Sequence, residues 1–215
     1  MNRTAVAELL AALSYGGKVA AERARDNARF APDSRTREAQ LGIAERERRN
    51  SRLIEARLLE VGSESLTRRF APFFDLFFSH TEPADWVEAQ TFHYVGDALV
   101  SDFADGLVEL LDPVSAEVVR RALGEREDQE SFALEELTRA MEGEPEAIER
   151  IAAYARRIIG EALTQTSRAL DQATVLKDLL GGVDGEKRFL LDLLERHRIR
   201  LDRLGIERVE AEPGD

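Results

Sequence analysis

The sequence predicts an all-α fold made of long helices, and three features support this class. Apolar residues recur at steps of three and four along most of the chain, which places them on one face of a helix. No run rich in Val, Ile and Thr alternates with polar residues between hairpin signals, so strands are not expected. Hydrophobic residues make up 43% of the chain and charged residues 33%, a balance typical of amphipathic helices in a folded protein.

The first half of the chain predicts two long helices, at about 4–29 and 34–61. The first has Leu9 and Leu10 on its apolar face. Asp33 or Ser34 can cap the second helix, because a short polar side chain accepts hydrogen bonds from free amides of the first turn. Gly62 is the expected stop of this helix.

Residues 62–83 interrupt the helical rhythm and are predicted to be a crossover. Five of the ten phenylalanines lie within residues 70–78. This stretch is too short to span a bilayer and too apolar for a free linker, so we expect it to pack on the bundle. A membrane-surface or partner-binding role for the Phe70 to Phe78 segment is the alternative.

The second half predicts further helices and one hinge. A weak point is expected at Gly124, and the glycine-rich run 181–185 is the expected hinge. We therefore divide the chain into a helical bundle, residues 1–182, and a C-terminal helix with an acidic tail, residues 183–215. The predicted helices lie at about 83–111, 113–142, 146–180 and 186–204.

Composition excludes several classes of function. The absence of cysteine excludes disulfides, thiolate catalysis and Cys-ligated metal sites. No apolar run approaches the roughly 18 residues that a membrane span needs, and the start does not read as a signal peptide, so a cytoplasmic location is expected.

Charge argues against nucleic acid and anionic lipid as partners. The net charge is −12, and residues 62–150 carry 21 acidic against 7 basic residues. A basic series in the second helix is expected to be a solvated face, with an RNA-contacting stripe as the alternative. It consists of Arg35, Arg37, Arg46, Arg48, Arg49, Arg52 and Arg57.

Two helices, a long crossover and two more helices form the ferritin-like order. In that architecture a dinuclear metal site takes a carboxylate from one helix of each pair and Glu-x-x-His from the other. None of the three histidines here lies three residues after a glutamate. The nearest remnant, Glu47-Arg48-Arg49-Asn50, has Asn in place of the ligand His, and Gly17 lies 30 residues before Glu47.

A weak internal repeat places the second half of this site. The segment Tyr94-Val95-Gly96-Asp97 echoes Tyr15-Gly16-Gly17. Arg126 follows 29 residues after Asp97, and Gln129 comes three residues later, at the Glu-x-x-His step.

Several stretches between Ala5 and Leu180 are similar to a known family. They are Ala12 to Gly16, Arg52 to Leu58, Pro83 to Trp86, Tyr94 to Asp97 with Asp102-Phe103, and Ile158 to Leu163. On these segments the chain resembles the actinobacterial ferritin-like proteins related to the tRNA isopentenyladenosine hydroxylase, an oxygen-using diiron enzyme. The resemblance implies a ferritin-like four-helix bundle with a long crossover and additional C-terminal helices. It places the six expected metal ligands on Gly17, Glu47, Asn50, Asp97, Arg126 and Gln129.

Only Glu47 and Asp97 of these six keep the expected ligand chemistry. Amide oxygens are weak iron ligands compared with imidazole, and arginine brings a permanent positive charge. We hypothesise that Arg126 replaces the ions by pairing with both carboxylates, while Asn50 and Gln129 satisfy what remains. A solvent-facing Arg126 and a nonstandard metal site are the alternatives.

The expected function is that of a noncatalytic interaction or structural protein without cofactor, as a homo-oligomer or with an unknown protein partner. The alternative is a divergent diiron oxygenase or hydroxylase with two iron ions, and tRNA contact stays open. Its ligands would be Glu47 and Asp97 with Glu22, Glu127 or Glu130.

The histidines are expected to be structural. His93 should pack beside Trp86 and Phe92, His80 should lie at the surface, and His197 should lie on a charged helix face.

Overall fold

The computed structural model of the protein describes residues 3–62, 64–124 and 126–206. Every regular element in these ranges is a helix, which confirms the all-α class. The α-helices are α1 (Arg3–Asn27), α2 (Ser34–Val61), α3 (Thr67–His80), α4 (Trp86–Thr91), α5 (Asp97–Leu107), α6 (Pro113–Leu123), α7 (Glu127–Gly143), α8 (Ala147–Gln172), α9 (Thr174–Leu179) and α10 (Gly182–Arg203).

Helices α1 and α2 form the first pair and pack closely against each other. The Asp33 carboxylate caps α2 by accepting a hydrogen bond from the Thr36 amide at 2.8 Å. Gly62 ends α2 with φ +74°, a left-handed conformation that suits glycine. The predicted bounds of the second helix, 34–61, are confirmed.

The crossover is more regular than its sequence suggested, because most of it is helix α3. Phe70, Phe77 and Phe78 are buried, and their spacing places them on one face of this helix. Pro72 lies inside α3, where it removes one backbone hydrogen bond. Burial of the phenylalanines offsets this cost, and the crossover packs on α1 and α8, as expected.

The second pair is interrupted where continuous helices were expected. The predicted helix 83–111 consists of α4, a π-helix at Phe92–Gly96, and α5. It begins at Trp86 rather than at Pro83, because the Asp85 side chain accepts a hydrogen bond from the Glu88 amide at 3.0 Å. The predicted helix 113–142 is divided into α6 and α7 at the expected weak point, Gly124.

The C-terminal third also differs in its helix bounds. The helix expected to reach residue 180 ends at Gln172, and the short α9 follows. Gly181 and Gly182 have φ of +100° and +67°, and α10 already begins at Gly182. Helix α10 packs against α5, α8 and α9, while the division at residue 182 stays a prediction. The predicted acidic tail from residue 207 lies outside the described residues.

The apolar core has two main parts. One is built around Leu9 and Leu10 of α1 and includes side chains of α5, α6 and α10. The other joins Phe77 of α3, Phe92 of the π-helix and Ile158 of α8. Of the helices in the described ranges, none combines the length and the apolar character that a membrane crossing demands. The cytoplasmic location stays a prediction.

Candidate functional site

Polar side chains from α1, α2, α4, the π-helix, α5 and α7 meet inside the bundle. Seven of the eight residues are at most 6% exposed, although burial of polar groups is costly unless they are hydrogen-bonded. We call this set the polar cluster: Asn27, Gln40, Glu47, Gln90, His93, Asp97, Arg126 and Gln129.

Asp97 is held by two side chains on one carboxylate oxygen. Its Oδ2 accepts hydrogen bonds from His93 Nδ1 at 2.8 Å and from Gln129 Nε2 at 2.7 Å. Asp97 is the first residue of α5, directly after the π-helix that carries His93. Single π-helical turns inside α-helices are frequent at functional sites.

The other side of the His93 ring faces amide groups. His93 Nε2 lies 2.7 Å from Gln40 Nε2, which also donates to the Ala24 carbonyl at 2.9 Å. Gln40 Oε1 accepts a hydrogen bond from Gln90 Nε2 at 3.1 Å. These partners fix the Gln40 amide with its nitrogen toward the ring, so His93 Nε2 is an acceptor and the ring proton lies on Nδ1. Both imidazole nitrogens are therefore engaged.

Arg126 joins α2 to the start of α5 from its position just before α7. Its Nη1 donates to the Asp97 backbone carbonyl at 2.7 Å, and its Nη2 donates to Glu47 Oε2 at 3.4 Å. The side chain is 15% exposed, which excludes the solvent-facing alternative. The expected pairing with both carboxylates was wrong for Asp97, because Arg126 binds the backbone carbonyl of this residue while His93 and Gln129 bind its carboxylate.

In the polar cluster, Glu47 is a buried carboxylate whose charged form is disfavoured. Burial raises the pKa of its carboxyl above the ordinary 4.5, and the nearby Arg126 guanidinium opposes this rise. Asp97 raises the Glu47 pKa further, and His93 and Arg46 lower it. The net direction is upward, so the single arginine offsets the burial of Glu47 only in part.

Gly17 and Asn50 contribute little to this network. A Cβ at position 17 would lie 3.3 Å from Ser51 Cβ, so Gly17 allows close packing of α1 on α2. Asn50 is 9% exposed, and its Nδ2 has no hydrogen-bond partner in the described structure. The expected role of Asn50 as a partner of the carboxylates was therefore wrong, whereas Gln129 does bind Asp97.

Glu22 and Glu130, two residues of the alternative metal set, do not belong to the polar cluster. Glu22 is exposed and lines a polar groove of about 780 Å³ beside α1 and α2. Glu130 forms an ion pair of 3.7 Å with Arg203. The side chain of Glu127 lies outside the described part of the structure. Within that part, no group of three or more His, Asp or Glu side chains is placed to hold a metal ion.

Sequence reasoning missed the part of the cluster centred on His93. Its ring contacts Phe92 as expected, with centroids 6.3 Å apart, but its polar partners were not foreseen. The four-residue spacing of His93 and Asp97 could have predicted their contact, because it places both side chains on one helix face. His80 lies at the surface as expected, 3.0 Å from Glu161 Oε1. His197 is 3% exposed, so its expected place on a charged face was wrong.

Comparison with known proteins agrees with this architecture. No match was found among curated proteins. A family model described as the ferritin-like domain of actinomycetes matches residues 1–183, the range that contains the whole polar cluster. The ferritin-like fold is thereby confirmed, and the chain belongs to the actinomycete ferritin-like domain family.

Proposed function

We propose that this protein is a noncatalytic ferritin-like bundle that acts as an interaction or structural protein, with Arg126 in place of the metal ions. The observation that carries this proposal is the guanidinium of Arg126, which donates to Glu47 Oε2 and to the Asp97 carbonyl. One fixed internal cation thereby pairs with the buried Glu47 carboxylate and also binds the backbone at Asp97.

The donor set does not fit a pair of iron ions. Glu47 and Asp97 are the two carboxylates of the cluster, and Asp97 Oδ2 already accepts two hydrogen bonds. Both nitrogens of His93 have partners, and a dication bound to Glu47 would lie close to the Arg126 charge. These side chains therefore do not supply the ligands that an oxygen-activating pair of iron ions needs.

A cluster without metal still has a structural role. Its hydrogen bonds connect α1, α2, the π-helix, α5 and α7, and a buried polar network favours one helix register over others. In this proposal the network maintains the bundle geometry that metal ions support in intact members of the wider family. The relation to tRNA hydroxylases is then one of ancestry.

Exposed apolar side chains on the outer face of α10 favour the hypothesis of a protein partner. Four large apolar side chains there are between 41% and 63% exposed, and they are spread over about 160° of the helix surface opposite the buried Phe189 and Leu193. They are Val183, Leu191, Leu194 and Ile199. We propose that a second copy of the chain or another protein covers them, whereas the net charge of −12 disfavours tRNA.

Iron loading tests the noncatalytic proposal. The purified full chain is incubated with ferrous iron in air, desalted, and analysed for iron per chain and for a ligand-to-metal absorption band. We expect no stoichiometric iron, because the ligand set is incomplete and Arg126 repels a dication. About two iron ions per wild-type chain with such a band would overturn the proposal and favour the hydroxylase alternative.

A matched pair of variants isolates the contribution of Arg126. One variant carries Gly17→Glu, Asn50→His and Gln129→His and keeps Arg126. The second adds Arg126→Glu. We expect more iron in the second than in the first, with circular dichroism confirming that both fold. Equal iron in the two variants would count against Arg126 as the group that excludes the ions.

A further inference from the structure

A second candidate site lies apart from the polar cluster, in an apolar cavity of about 90 Å³. Helices α1, α3, α5 and α8 form most of its walls, and three of the five phenylalanines of the Phe70 to Phe78 segment line it. Its main apolar contacts are Leu13, Phe74, Phe77, Leu99, Ile159 and Leu163. Several of these lining side chains are only half-buried, so the cavity reaches the surface of the bundle.

Gln165 is the polar feature of this cavity. The lining residues are apolar except for Gln165 and Thr166, and Gln165 is 5% exposed. Its Nε2 donates to Glu161 Oε1 at 2.6 Å, while its Oε1 is buried with no hydrogen-bond partner in the described structure. A flipped amide would set two acceptor oxygens against each other, so the neighbouring carboxylate fixes this orientation. A residue that lines the cavity therefore carries an unmet acceptor.

The polarity and charge of the lining side chains determine which class of ligand the cavity can bind. A buried acceptor without a partner costs free energy that a ligand donor recovers. No Lys, Arg or His lines the cavity, and Glu161 lies beside Gln165, so an anion finds no matching charge. A cation would lose its hydration among apolar side chains. A neutral hydroxyl is the donor that fits.

We propose that this cavity binds a small neutral alcohol or phenol, whose hydroxyl donates to Gln165 Oε1 and whose apolar part contacts Phe74 and Phe77. The enclosed volume of about 90 Å³ is smaller than the roughly 150 Å³ of an apolar cavity that binds benzene, so a short aliphatic chain fits inside, and a single ring fits with part of it in the opening at the surface. This site is independent of the metal question, because none of its lining residues belongs to the polar cluster.

Three probes of similar shape test the ligand class. The wild-type chain is titrated with benzyl alcohol, toluene and benzoate, and binding is followed through the methyl resonances of Leu13, Leu99, Ile159 and Leu163. We expect saturable shifts with benzyl alcohol, roughly three- to tenfold weaker binding of toluene, and no binding of benzoate. Absence of saturable shifts with benzyl alcohol, or equal binding of benzoate, would overturn the proposal.

Two variants test the residues. Gln165→Met keeps the length of the side chain without the acceptor, and we expect it to bind benzyl alcohol and toluene equally. Ala162→Phe fills the cavity and should abolish binding of both. Thermal unfolding establishes that each variant folds. A preference for benzyl alcohol that persists in Gln165→Met, or binding at the same methyl groups in Ala162→Phe, would contradict the assigned site.

Discussion

The guanidinium of Arg126 lies 3.4 Å from Glu47 Oε2, and this contact joins the start of α7 to the middle of α2. The distance is long for a charge-assisted hydrogen bond, which is typically about 2.7–2.9 Å. Burial raises the pKa of Glu47 in spite of the arginine. The pair therefore holds the helices together with one carboxylate that is easier to protonate than an exposed one.

This raised pKa predicts the pH dependence of the Glu47→Gln variant. A carboxyl group whose pKa is raised in the folded state contributes stability below its ordinary value of 4.5, and that contribution is lost as pH rises through the raised pKa. Glutamine does not ionise, so Glu47→Gln should gain stability relative to wild type as pH increases. Urea unfolding of both proteins between about pH 4 and about pH 8 measures the difference. A difference that does not change with pH would argue against this prediction.

The lowered pKa of the buried His197 predicts that the free energy of unfolding decreases in acid. The pKa of His197 is lowered from 6.5 to about 4, mainly by burial and also by Arg200, while Asp102 opposes the shift. A histidine with a lowered pKa contributes stability above 6.5, and this is lost as pH falls through about 4. His197→Leu should remove up to about 3 kcal/mol of this acid dependence.

The exposed His80 provides the control for His197. Its side chain is 54% exposed, so His80→Leu controls for the replacement of a histidine by leucine outside the core. Urea unfolding at neutral and acidic pH compares the three proteins. An unchanged acid profile in His197→Leu would show that another group causes the loss of stability.

The junction between α9 and α10 depends on Gly185. A Cβ at this position would lie 1.8 Å from the Leu180 carbonyl oxygen, a backbone atom that cannot move aside. Gly185→Ala should therefore cost about 2 kcal/mol of unfolding free energy. Gly42 lies in α2 with nothing within 4 Å of a built Cβ, so Gly42→Ala should stabilise the protein by about 0.5–1 kcal/mol. Thermal unfolding of both variants tests this contrast, and similar effects of the two would contradict it.

Periodicity and capping residues predicted much of the fold. The helix 34–61 has its expected bounds because Asp33 and Gly62 act locally at its ends. The crossover was harder to predict, because the burial that outweighs Pro72 in α3 depends on helices distant in sequence. The π-helix at Phe92–Gly96 likewise replaces regular helix without any glycine or proline inside its first four residues.

The candidate site was predicted in part. The sequence spacing predicted that Glu47, Asp97, Arg126 and Gln129 lie close together, and hydrogen bonds join them in the structure. The His93 contacts were missed because histidine was judged by its distance from glutamate alone. The Gln40 partnership links α2 to the π-helix over 53 residues, and no local pattern encodes such a pair.

A double-mutant cycle on Arg126 and Glu47 tests the central claim most directly. Arg126→Met leaves Glu47 buried without its cation, so it should cost about 3 kcal/mol of unfolding free energy at neutral pH. Adding Glu47→Gln to Arg126→Met should recover most of that loss, because position 47 then no longer places a charge in the core. Urea unfolding of the wild type, both single variants and the double variant gives the coupling energy. A coupling of at least about 1 kcal/mol is expected, whereas additive effects of the two substitutions would contradict the claim that Arg126 stands in for the metal ions.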